Sequence, residues 1–117
     1  DNHFNFEKVS KRIHLDIASV NTAIQLSVGD NEISKAHLSA GGVGPTPKYL
    51  GETSAFLNGE KLSSQNIKSA NDLLQGEISP ISDVRGSANY KRLLLRQLFY
   101  AHFITLFPDQ FSLNSFK

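Results

Sequence analysis

The sequence predicts an α+β fold: a three-stranded, mostly antiparallel sheet packed against about three helices, as a single domain over residues 1–117. Two observations carry this reading. Period-two alternation over 18–28, a turn signal at Gly29, Asp30 and Asn31, and a second alternating run over 33–40 make an antiparallel hairpin. The helical periodicity lies downstream of that hairpin, so strands come first and helices after.

Phe4 and Phe6 alternate with polar neighbours, which fits a strand end or a docking arm as well as a frayed terminus. The next residues, with Lys8, Lys11 and Arg12 close together and Asp16 four beyond Arg12, read as a basic connector leading into a strand. In the hairpin, Ala18, Val20, Thr22, Ile24, Leu26 and Val28 share one face. Ala36 and Leu38 oppose Lys35 and His37 on the second strand.

The segment GGVGPTP over 41–47 was weighed as a phosphate cradle, but it has no Gly-Lys-Ser/Thr ending, and proline stands where the last glycine of a dinucleotide motif belongs. It reads as a bulge and a rigid turn. Residues 48–50 form a third short strand, 52–57 a brief helix ended by Asn58 and Gly59, and Ser63 or Ser64 caps a longer helix stopping at Gly76.

Residues 78–107 organise the rest. Pro80 bars a helix through 78–81, and Ser87 caps the longest apolar helix. Its ridges, Tyr90, Leu94, Leu98, Ala101, Thr105 and Leu95, Phe99, His102, Leu106, require burial on more than one side. Lys91, Arg92 and Arg96 oppose the helix dipole and call for compensation by Asp83, Glu77 or solvent, or by a partner surface or anionic cofactor. The tail after Pro108 is a loose end or a strap.

A net charge of +1 gives no bulk attraction for nucleic acid or an anionic membrane, and neither is expected as a partner. Without cysteine the chain holds no disulfide, thiolate metal site or iron–sulfur cluster of its own. No run is apolar enough to span a bilayer and no signal peptide opens the chain, so the expected compartment is the cytoplasm. The absence of methionine and the DNHFNF opening mark a fragment or processed chain.

His3, His14, His37 and His102 share no metal-ligand spacing, and His102 reads as a hydrogen-bonded core histidine. No serine occupies a nucleophile elbow, and no carboxylates pair for acid–base work. The residues alone describe an α+β domain without a self-contained active site.

Three segments, KVSKRIHLDIASVNTAI, LSAGGVGPTP and ISPISDVRGSANYKRLLLRQLF, resemble the C-terminal domain of the flavoprotein subunit of the molybdenum hydroxylases, the group of xanthine dehydrogenase and carbon monoxide dehydrogenase. The likeness runs over about 6–108. It implies a non-catalytic domain closing over an upstream FAD-binding domain, in an enzyme that passes electrons from molybdopterin through iron–sulfur clusters to FAD. The partners implied are that FAD domain and the iron–sulfur and molybdopterin domains or subunits. The isolated domain is expected to be inactive and to hold no cofactor tightly.

Lys8, Arg12 and Asp16 match the family's Lys-x-x-x-Arg-x-x-x-Asp connector, which the resemblance places beside the flavin. Lys8 is the candidate flavin contact, set against a solvated linker lysine; Arg12 and Asp16 pair with each other or fix the loop. Ile13, His14 and Leu15 depart from the more charged residues of some members. Asp83, Arg85, Tyr90 and Arg92 match the third segment and are assigned to holding the domain together. The competing function is a stand-alone protein-interaction module using the polar sheet face, Lys35 and His37 included.

Overall fold

The structure, a computed structural model, describes residues 2–12, 16–44, 46–80 and 87–117. Strands β1 (Asn2–Arg12), β2 (Asp16–Gly29), β3 (Glu32–Gly41) and β4 (Lys48–Tyr49) form one antiparallel sheet in the order β1-β2-β3-β4. Helices α1 (Gly51–Leu57), α2 (Ser64–Glu77) and α3 (Ala88–Leu106) follow, and a 3-10 turn (Leu113–Phe116) ends the chain. The α+β class, the hairpin and three helices are as expected; the sheet has four strands rather than three.

The extra strand is β1, where sequence reading left a strand end, an arm or a frayed terminus open for Phe4 and Phe6 and took the residues after them for a connector. It pairs with β2 from Asn2↔Ser27 to Arg12↔Asp16. Its alternation is inverted relative to a core strand. Phe4 and Phe6 are 68% and 51% exposed, whereas His3, Asn5 and Glu7 turn toward α3. An apolar set facing outward gives no core signal.

The β2–β3 turn places Asp30 and Asn31 at φ of 53° and 61°, the left-handed pair that a two-residue hairpin requires and that Asp and Asn tolerate best among residues with a side chain. A bulge at Ser27/Val28 shifts the register by one, which explains why Ile33 and Ala36 are both buried although three residues apart. From β2, Val20, Thr22, Ile24 and Leu26 enter the core as expected.

The outer edge of β3 is satisfied mostly by α1 and its flanks. Leu38 donates its N–H to Ser54 Oγ at 3.0 Å and accepts from Leu50 N at 2.8 Å. Ala36 N donates to Asn58 Oδ1 at 2.9 Å, and Ile33 N to Glu60 O at 2.8 Å. Covering an edge this way removes a template for unwanted pairing. The glycine segment is structural: Val43 is buried and its carbonyl accepts from Ser79 N at 2.9 Å, so the 41–44 turn lies against the extended stretch after α2.

Ser63 and Ser87 cap α2 and α3, each side chain accepting an N–H three residues on, from Asn66 and Tyr90. No side chain of its own caps α1; Glu77 does so from the end of α2. Its Oε1 accepts from Thr53 N at 2.7 Å and Thr53 Oγ1 at 2.6 Å, and its Oε2 accepts from Glu52 N at 3.2 Å. An anion at a helix N-terminus is favoured by the helix dipole as well. Arg92 does the reverse for α2, donating to Gln75 O at 2.6 Å and Ile78 O at 3.4 Å, so a cation meets the carbonyl end of that helix. The compensation foreseen for Arg92 thus comes from main-chain oxygens; Asp83 and Arg85 lie outside the described residues.

The buried stripe of α3 runs through Leu94, Leu95, Leu98, Phe99, His102 and Phe103. It is rotated from the expected ridges: Phe103 is buried, Tyr90 is 43% exposed and Thr105 faces solvent. Phe103 packs edge-on against Phe99, with ring centroids 5.3 Å apart. The tail is the strap of the two alternatives, because Phe111 is buried and Phe116 stacks on Tyr100 at 4.4 Å.

Glu77→Ala deletes three accepted hydrogen bonds and the charge at the start of α1. We expect it to lower stability by about 1–2 kcal/mol, read as a lower urea midpoint with an unchanged m-value. An unshifted midpoint would show that α1 needs no cap from α2.

Candidate functional site

The hairpin of β1 and β2 carries the three residues that sequence reasoning singled out. Lys8 is exposed, opposite Asn21 in the register. Arg12 and Asp16 are cross-strand partners at the last described pair, so they close the hairpin on the segment 13–15, which lies outside the described residues. A bulge between Val9 and Ser10 separates Lys8 from that closing pair and adds twist there. Lys8 stands four residues, about 13 Å of strand, from that closing pair.

Behind Lys8, the hairpin is tied to α3 by a buried relay that sequence reasoning did not assemble. His102 is fully buried, as a core histidine should be. Its Nδ1 lies 2.9 Å from Asn5 Nδ2, and its Nε2 lies 3.3 Å from Thr22 Oγ1. Thr22 Oγ1 donates to Ser39 O at 3.0 Å, so that hydroxyl must accept from His102 Nε2–H. His102 Nδ1 is then the acceptor for the Asn5 amide, which also donates to Glu7 Oε2 at 2.8 Å. Each proton has one place to go, and the imidazole is the neutral Nε2–H tautomer.

Burial lowers the His102 pKa from 6.5 to about 4. A second proton on Nδ1 would also face the Asn5 amide donor. The signals for this relay were His102 on the apolar side of its helix and the alternation of Asn5 and Glu7 with Phe4 and Phe6.

The other face of the sheet is aromatic and open. Tyr49 is 54% exposed and its hydroxyl sits 2.8 Å from His37 Nδ1. With Phe4 they border a cleft of about 160 Å³ floored by Ala23 and Ser39. Among the described residues no cluster of His, Asp and Glu could hold a metal ion, and no helix is long and apolar enough to cross a membrane.

An unfolded chain binds the His102 proton more readily than the folded one, so stability rises with pH between about 4 and 6.5, is complete above 6.5, and is lost on falling toward 4. The span is at most about 3 kcal/mol. We expect His102→Gln to flatten that part of the stability–pH curve in urea titrations at several pH values. An identical slope in the variant would remove His102 as its source.

Comparison with known proteins supplies the context for this arrangement. Residues 5–106 match the family described as the CO dehydrogenase flavoprotein C-terminal domain. The chain is 35% identical over 108 residues to a xanthine dehydrogenase of Blastobotrys adeninivorans, covering 85% of this chain and 8% of that protein. It is 31% identical over 83 residues to the nicotine 6-hydroxylase medium subunit of Paenarthrobacter nicotinovorans, covering 71% of this chain and 29% of that subunit. The fold superposes on a chain of reconstituted CO dehydrogenase from Oligotropha carboxidovorans with a TM-score of 0.76 and 25% identity, over 83% of this chain and 34% of the other. The chain therefore spans less than a third of the two curated relatives. The four-stranded sheet, its three helices and the match over 5–106 make this chain a member of the CO dehydrogenase flavoprotein C-terminal domain family.

Proposed function

We propose that this chain works as the C-terminal domain of the FAD-carrying part of a xanthine dehydrogenase-like molybdenum hydroxylase, closing over a flavin-binding domain that precedes it in the same subunit. The observation that carries this reading is the family match over 5–106, supported by relatives that are oxidoreductases or their medium subunits. In such an enzyme molybdopterin and iron–sulfur centres sit in partner domains or subunits, and FAD supplies the electron store that discharges to the final acceptor.

This chain's own contribution is a one-sided contact. Lys8, exposed on β1, would offer a positive charge to a bound flavin and so favour its reduced, anionic form. Arg12 and Asp16, paired across β1 and β2, close the ladder beyond Lys8. The His102 relay keeps β1 fixed against α3, so that Lys8 is presented from a rigid strand. Nothing in these roles moves a proton or forms a bond, and the isolated chain is accordingly inactive.

The test is Lys8→Ala in the complete flavoprotein subunit. We expect full FAD occupancy and a flavin midpoint potential more negative by on the order of 20 mV, a modest shift because an exposed charge is screened. An unchanged potential at full occupancy would remove Lys8 from the flavin. A subunit that carries no flavin at all would overturn the functional reading itself.

A further inference from the structure

We infer that the open face of the sheet, centred on Phe4, Phe6 and Tyr49, is the surface on which the remainder of the flavoprotein subunit docks. This rests on the function proposed above and specifies which face of the domain makes the contact.

The register assembles that face. Phe6, Ala23, Ser39 and Tyr49 stand in one cross-strand row, and Phe4, Gln25 and His37 in the next. Lys8 flanks the first row and Lys35 the second, one residue pair further out on each side, and no carboxylate stands in these rows. The opposite face is covered by the helices, and the β3 edge is largely occupied by α1, β4 and the turn after α1. Large aromatic side chains 51–68% exposed and gathered on one open face of the sheet are a contact surface rather than scattered surface residues.

The detail of the face suits a packed protein interface. Two small residues, Ala23 and Ser39, lie between the Phe4 ring and the His37–Tyr49 pair and leave a cleft of about 160 Å³, room for one inserted side chain. The hydrogen bond between Tyr49 and His37 holds one wall of the cleft in place before anything binds. An uncharged centre with a lysine at either end fits a partner surface that is apolar in the middle and acidic at its margin.

Two features point to the subunit's own remainder as the occupant. The medium subunit of nicotine 6-hydroxylase and the matched CO dehydrogenase chain are about three times as long as the segment they share with this chain, so most of such a subunit lies outside it. Lys8 stands at the end of the same face, so a flavin-bearing domain that reaches Lys8 also covers Phe6.

The chain has no cysteine, which makes site-specific thiol labelling a direct test. In the complete subunit, Gln25→Cys probes the face and Ala55→Cys, on the exposed side of α1, is the reference. Alkylation of each site is followed by mass spectrometry of its peptide. We expect the Gln25→Cys site to react at least about tenfold more slowly, at every protein concentration, because its exposure requires separation of two packed domains. Equal rates in a subunit that retains its flavin would overturn the docking face while leaving the proposed function standing. Protection that disappears on dilution would replace the occupant with a second copy or a separate subunit, and so also overturn the inference. A subunit without flavin would remove the functional reading on which the inference rests.

Discussion

The hydrogen-bonded path from Asn5 through His102 and Thr22 to the Ser39 carbonyl is the constraint on which the arrangement of the sheet depends. It links the edge strand, the long helix and both central strands through the core. Buried polar atoms must be satisfied or they cost about 1–3 kcal/mol each, so the relay admits one orientation of β1 over α3. Apolar packing alone would not do this, because the inner face of β1 presents His3, Asn5 and Glu7 rather than large apolar side chains.

A second set of polar contacts locks the short elements. Glu77 caps α1 from α2, Arg92 caps α2 from α3, and Ser54 and Asn58 of the α1 region complete the edge of β3. α1 therefore depends on α2, and α2 on α3, for a terminus. The consequence for function is a rigid layer that covers one face and most of one edge of the sheet, leaving the aromatic face and the β1–β2 hairpin free to meet other parts of a larger protein.

Much of this was legible in the residues. Alternation from Val20 to Leu26, the Asp30–Asn31 turn and the serines at 63 and 87 are local signals, and the structure follows them. The full length of β1 was not read: the alternation of Phe4 and Phe6 left a strand end, an arm and a frayed terminus open, because it marks a core strand only when its apolar side faces the core, and here Phe4 and Phe6 face away. The caps by Glu77 and Arg92 were missed for another reason: they join residues 14 to 25 apart, and no local spacing rule connects them. At the candidate site, Lys8, Arg12 and Asp16 were recognisable as a motif, but the pairing of Arg12 with Asp16 across a hairpin and the relay behind it are tertiary facts. Family membership followed from segments spread over the chain, none of which forms a catalytic constellation.

Under the proposed function the chain meets a flavin from one side only, with the rest of the pocket supplied elsewhere, and should not hold the cofactor by itself. The most direct measurement is a titration of this folded chain with FAD, followed by flavin fluorescence and calorimetry. We expect no saturable, stoichiometric binding in the micromolar range, since one exposed lysine and an open strand bury too little of the ligand. A tight one-to-one complex would contradict the division of labour proposed here and would mean that the chain carries a flavin pocket of its own.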